Sequence, residues 1–195
     1  MRNIIVSMRV TLDGFIAGPN GEMDWMEEFF DEALATYESE LQKTVDTTLF
    51  GRVTYQGFES FWPQVARDPA SPKGMVEYAD HLNAMRKIVF SKTLSHVEWN
   101  NSVLVKEVVP EEITNLKQES GRDMVIYGSA SIVQTLTNLG LIDRYHLLVF
   151  PIVLGSGKPL FQDIVRKVKL SLVSTKTFPS GVVVLSYQPI QAFLH

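Results

Sequence analysis

The chain contains no cysteine. Disulfides, thiolate zinc sites and a cysteine nucleophile are thereby excluded. Histidine is scarce too: His81, His96, His146 and His195 lie far apart and make no H-x-H or H-E-x-x-H pairing, which leaves little support for a metal centre. No segment approaches the ~20 apolar residues of a membrane span, so no membrane association is expected. Excess positive charge is missing as well. With 18 Lys and Arg against 22 Asp and Glu the net charge is −4, and nucleic acid is not an expected partner, because neutralising its backbone takes clustered cations. The opening MRNIIVSMRV runs into a polar turn where a signal peptide would have a small-residue cleavage site, so it reads as a first strand and the expected compartment is the cytoplasm.

Two phosphate-binding motifs are absent where they first seem present. In VLGSGKPLF (153–161), a P-loop would need glycine at Ile152 and Ser or Thr at Pro159. A dinucleotide fingerprint starting from Gly155 and Gly157 would need a third glycine at Leu160.

What is there suits one ordinary globular domain over residues 1–195, 45% hydrophobic and 21% charged. NIIVSMRV is a β-branched run closed by the turn TLDG, and the glycine-rich DGFIAGPNGEMDW (13–25) reads as a loop, with Trp25 as a lid residue. In MEEFFDEALATYESELQK, residues Phe29, Phe30, Ala33, Leu34, Tyr37 and Leu41 mark one face of a helix. DTTLF is a strand, and GRVTYQGFESFW a helix expected to stop near Trp62, a core residue, before Pro63. Residues 64–75 read as a polar excursion. KIVF and SVLVKEV are strands, and PEEITNLKQES is a helix with Pro110 at its start and Gly121 at its end. DMVIYGSASIVQTLTNLG is strand, tight turn and helix; RYHLLVFPIVLG is a strand; KLSLVSTKTF, PSG and VVVLSYQ form a hairpin. The fold class is α/β, three layers around a mostly parallel sheet with a C-terminal antiparallel hairpin.

Three strand-to-turn junctions could receive phosphate: LFGRVTY, VIYGSAS and FSKT. In an open α/β sheet ligands bind at the carboxyl ends of strands, where helix N-termini offer unpaired amides. Gly128, Ser129 and Ala130 leave one helix start bare, while Arg52 and Lys92 add cations. Glycine and serine also simply make good turns.

Taken in order, DGFIAGPNGEMDW, LFGRVTY, IVFSKT, VIYGSAS and LIDRYHLLVFPIVLGSGKPLF resemble the dihydrofolate reductase fold. They resemble most the reductase domain of bifunctional riboflavin-biosynthesis deaminase/reductases and its stand-alone relatives, from Asn3 to about Gln188. The resemblance implies NADPH. It places Gly51, Arg52, Val53 and Thr54 beside the adenosine phosphates, with Arg52, Ser91 and Lys92 on the 2′-phosphate. Gly128, Ser129, Ala130 and Ile132 would hold the pyrophosphate, and Val10, Ile16 and Ala17 would surround the nicotinamide. It also implies a small-molecule substrate and a homodimer. Gly128-Ser129 stands where folate reductases have two glycines. Their pterin-binding acid falls, counting on from Trp25, at Phe30, with Asp31 beside it.

Asp31 and Tyr127 are the candidate catalytic groups, Asp31 to protonate or orient a substrate ring and Tyr127 to donate a hydrogen bond. Glu27 and Glu28 read as helix-dipole residues, Asp13 as a turn former and His146 as a core or edge residue. The expected activity is hydride transfer from NADPH to a small heterocyclic, carbonyl or imine substrate. The alternative is a non-catalytic nucleotide-binding or sensor protein of the same fold. The riboflavin-pathway substrate, which carries a phosphate, is a weaker rival, because the deaminase domain and its zinc ligands are missing.

Overall fold

The computed structural model describes residues 1–190; His195 lies outside the described residues. Eight strands form one sheet: β1 (Ile4–Thr11), β3 (Val45–Gly51), β4 (Arg86–Phe90), β5 (Ser102–Val105), β6 (Asp123–Ile126), β7 (Arg144–Phe150), β9 (Leu170–Thr177) and β10 (Val183–Pro189). Their order is β5-β4-β3-β6-β1-β7-β10-β9. The first six are parallel, while β10 pairs antiparallel with β7 and with β9. The sheet is therefore mostly parallel with a C-terminal antiparallel hairpin.

Alternation along each strand sends side chains to opposite faces. From β1, Ile4, Val6, Met8 and Val10 enter a core shared with α4 (Pro110–Gln118) and α5 (Ala130–Asn138). Ile5 enters the opposite core, under α2 (Arg52–Val65) and α3 (Lys73–Ala84). That second face continues across β7, where Leu148 and Phe150 pack with Leu34 of α1 (Glu32–Lys43). Three layers result.

Four features differ from the sequence expectation. The first helix is split: a 3-10 turn spans Asp24–Phe29, Phe30 is extended, and α1 begins after Asp31. The break falls where Asp31 caps α1 and is tied to the Ser180 amide of the C-terminal hairpin, while Trp25 and Phe29 before it pack edge-on against Phe150. Trp25 is consequently core, at 7% exposure, and not a lid. Helix α2 runs through Pro63 to Val65, since a proline in the last turn removes only one helical hydrogen bond and Ala66 N–H still reaches the Trp62 carbonyl at 3.2 Å. Third, part of the polar excursion starts a full helix, α3. Buried Lys87 holds its C-terminal end, donating to the carbonyls of Asn83 and Met85 at 3.0 and 2.8 Å.

The fourth is a small ribbon. Phe15–Ala17 (β2) pairs antiparallel with Lys158–Pro159 (β8), so VLGSGKPLF is half of a latch. Asp13 closes it, accepting from Thr11 Oγ1 at 2.6 Å and from the Gly155 amide at 2.7 Å. The opposite end is tied by Gln134 of α5, which donates to the Leu160 carbonyl at 2.9 Å. Gly157 is required by contact: a Cβ there would sit 2.2 Å from the Ala17 carbonyl oxygen. We expect Gly157→Ala to destabilise the protein by about 1–3 kcal/mol, the usual cost of overpacking. A urea midpoint equal to the parent's would show that the ribbon shifts freely.

Candidate functional site

The middle strand is the short one. β6 pairs with β1 only over Ile4–Val6 and with β3 only as far as Thr48, yet β1 continues to Thr11 against β7 and β3 to Gly51 against β4. Beyond Ile126 the sheet opens into a crevice, and the turn Tyr127–Ser129 lies at its mouth.

Across that crevice two helix starts are clamped together. The Gly51 amide, at the start of α2, donates to Ser129 Oγ at 2.6 Å. Ser129 precedes α5 in the left-handed conformation, φ 76°, which glycine adopts most readily. The hydroxyl accounts for a serine in a conformation that favours glycine, since glycine could not accept this bond. Gly128 must stay a glycine, because a Cβ would lie 2.5 Å from Thr54 Cγ2. Neither helix has a side-chain cap. Their first amides are left without a side-chain acceptor, the arrangement that suits an anion.

Most of the expected cofactor residues gather here. Gly51, Arg52, Val53 and Thr54 form one lip, and Gly128, Ser129 and Ala130 the other, with Ile132 buried beneath them. Arg52 is exposed and donates to Gln56 at 3.2 Å. Lys92 is exposed and paired with Glu107 at 3.0 Å. Ser91 is buried, and its hydroxyl accepts from the Leu94 amide at 3.0 Å, shaping the turn after β4. The Val10 side chain is in the core, which leaves its backbone to face the crevice. Ile16 and Ala17 lie in the ribbon, Ala17 buried.

Asp31 is corrected. One oxygen accepts from the Leu34 amide at 2.7 Å and the other from the Ser180 amide at 2.9 Å, making it the N-cap of α1 and its tie to the C-terminal hairpin. These bonds hold its carboxyl below the ordinary 3.8. It is ionised at neutral pH and cannot serve there as a proton donor.

Tyr127 stands at the mouth of the crevice. Its hydroxyl is enclosed beside that of Tyr78, and burial, with Tyr78 and Glu38 nearby, pushes its ionisation well above its ordinary value. The phenol keeps its proton. Thr48, on the same face of β3, carries an enclosed and unpartnered hydroxyl.

The sequence reading missed the neighbours of Tyr127. Arg9 lies on the α1–α3 face of β1 and forks onto Glu38 of α1, with bonds of 3.0 and 2.9 Å. The Phe30 ring covers the guanidinium at 4.7 Å. Burial opposes the charge on Arg9, but the Glu38 carboxylate outweighs it and holds the group above its ordinary value. Tyr78 of α3 faces Tyr127, ring centroids 6.5 Å apart. Arg9, Phe30, Glu38, Trp62 and Tyr78 line a cavity of about 840 Å³ between α1 and the α2–α3 pair. Trp62, expected in the core, packs against it and also walls this cavity. The available signal was Arg9 itself, since a cation inside a buried strand demands a partner.

The family model described as "RibD C-terminal domain" matches residues 2–184. The chain belongs to that family. It is 37% identical over 186 residues to the uncharacterized protein YyaP of Bacillus subtilis (strain 168), covering 95% of this chain and 94% of that one. A candidate riboflavin biosynthesis protein from Shewanella sp. PV-4 superposes with TM-score 0.77 at 24% identity, covering 98% of this chain and all of the other. Dihydrofolate reductase from Enterococcus faecalis, complexed with NADP(H), gives 0.60 at 17%, with 96% of each chain covered. At such identities the structural likeness is one of fold. Family and fold together make this a reductase-like chain of the RibD C-terminal domain family. Among the described residues no three His, Asp or Glu cluster as metal ligands, and no helix is long and apolar enough to cross a membrane.

We expect Asp31→Ala to lower the unfolding midpoint at neutral pH. Because the folded carboxyl titrates below 3.8, its contribution is present above that pH and is lost as pH falls. The gap between variant and parent should therefore close in acid, which thermal melts from pH 7 to 3 would read. A constant gap would refute the capping role.

Proposed function

We propose that the protein is an NADPH-dependent reductase that delivers hydride to an electrophilic carbon of a small heterocyclic, carbonyl or imine substrate. The reading rests above all on the paired helix starts clamped by the Gly51–Ser129 hydrogen bond, set beside Tyr127, whose phenol keeps its proton. These residues fit the cofactor in kind: uncapped amides for a pyrophosphate, nearby cations for a further phosphate, and an unpaired length of β1 backbone for a carboxamide.

Bound there, NADPH would supply the hydride. The first-turn amides of α2 and α5 orient the pyrophosphate, and Arg52 and Lys92 recognise the 2′-phosphate that distinguishes NADPH from NADH. Backbone groups of Val10 and Ala17, with Ile16, border the nicotinamide end. Tyr127 donates its hydroxyl proton in a hydrogen bond to the substrate without ionising. The proton that completes reduction comes from water through the open cavity, Asp31 being committed to its cap.

One observation favours the rival reading of a nucleotide-binding protein without catalysis. Phe30 and the committed Asp31 occupy the place where folate reductases carry their acid. Sustained NADPH oxidation with any substrate, abolished by Tyr127→Phe or another pocket change, would discard that rival. A homodimer is part of the proposal as well, since edge strand β9 exposes Leu172 and Val173 at 55% and 52%.

Arg52→Ala combined with Lys92→Ala is expected to weaken NADPH binding by roughly tenfold or more while leaving NADH nearly unchanged. Titration followed by tryptophan quenching measures both. Equal NADPH affinity in parent and double variant would overturn the assignment of these two cations.

A further inference from the structure

The cavity between α1 and the α2–α3 pair carries information on the substrate itself, given the reductase reading above. Its walls are aromatic: Phe30, Phe61, Trp62 and Tyr78, the last two with ring centroids 4.9 Å apart. Such faces suit a flat ring by stacking. At about 840 Å³ the space is ample for a bicyclic molecule.

Its charges are uneven. Glu32, Glu38, Glu40 and Glu77 line it against Arg9 and Lys43. Both cations are already engaged. Arg9 gives its fork to Glu38 and lies under the Phe30 ring, and Lys43 donates to Glu40 at 2.7 Å. Among the described residues lining the cavity, no basic group is left to meet an anion, and Glu32 has no cationic partner. Glu77 meets Lys73 at 3.7 Å, but both are exposed at the rim, so a phosphate among the lining side chains would still meet net negative charge, with screening only partial inside a walled cleft.

We infer that this cavity takes a flat, unphosphorylated ring, neutral or cationic, and discriminates against phosphorylated rings. A phosphoribosyl pyrimidine of the riboflavin pathway is then not its substrate. The aromatic walls supply affinity and the excess of glutamates supplies the discrimination. An aromatic cation gains twice, from the ring faces and from the carboxylates.

Three bicyclic probes of similar size test this on the full chain without cofactor: 2-naphthol (neutral), 1-methylquinolinium (cation) and 2-naphthyl phosphate (anion). Isothermal titration calorimetry should find the first two binding and the phosphate weaker by roughly tenfold or more. The exposed-rim variant Phe61→Ala should weaken the two that bind, and Glu32→Gln with Glu77→Gln should narrow the gap to the phosphate. Equal or tighter binding of the phosphate overturns the inference, as does binding of none of the three. A gap unchanged in the double glutamine variant overturns its electrostatic basis. NADPH affinity, measured on the same preparation, decides the reductase reading separately: selective probe binding without NADPH binding would sustain the cavity's selectivity and sink the reductase.

Discussion

The candidate site depends on a single hydrogen bond, from the Gly51 amide to Ser129 Oγ. It joins the ends of two strands that do not pair at that height, because β6 stops at Ile126 while β3 runs on to Gly51. Without the bond, each turn would be an independent loop and the two helix dipoles would converge only on average. With it, two sets of uncapped amides are held in one place. The clamp requires three unusual residues together: Gly51 where a Cβ would crowd Ser129, Gly128 where it would strike Thr54, and Ser129 in a left-handed conformation. A left-handed non-glycine residue is uncommon, and here the hydroxyl offsets the strain by adding a bond that glycine could not make.

A second fastening fixes the outer wall of the crevice. The ribbon of β2 and β8 would be too short to persist alone. Asp13 binds its Gly155 end, Gln134 its Leu160 end, and Gly157 lets the two backbones touch. The glycines of VLGSGKPLF therefore serve a close backbone approach and two turns, one at Gly155 with φ 74°. The same composition that mimics a phosphate loop is what a backbone latch needs, since both rely on amides unhindered by side chains.

Much of the fold was legible because alternation and turn chemistry are local. The strands β1, β3, β4, β6 and β7, the hairpin and the ends of α4 and α5 follow from β-branched runs, Pro110 and Gly140. Turns at strand ends pointed to the two lips of the crevice for the same reason. What failed was set by distant partners. Nothing near Asp31 tells that its second oxygen meets the Ser180 amide, 149 residues on. The break at Phe30 precedes that same Asp31 cap, and the 3-10 turn before it reads as helix by period alone. Helix α3 was hidden by the prolines before it, although Ala79 and Leu82 are placed three apart and fully buried.

Arg9 shows how the crevice and the cavity come to share a face. On β1, residues Ile5, Ser7, Arg9 and Thr11 point toward α1–α3 by alternation. Over Ile5 the strand is flanked by β6 and roofed by core, so an apolar residue is required there. By Arg9 the neighbour β6 has ended, and Glu38 is near enough to fork the guanidinium. A cation at Ile5 would be buried without a partner, at a cost of several kcal/mol; four residues later it is a wall of the cavity. The strand's own alternation then fixes Tyr127 on the same side, since Val125 already packs with Ile5. One choice, the early end of β6, thus opens the crevice at the strand tips. The same choice leaves room for a charged, aromatic cavity on the face that carries Arg9, walled by Phe30, Trp62 and Tyr78.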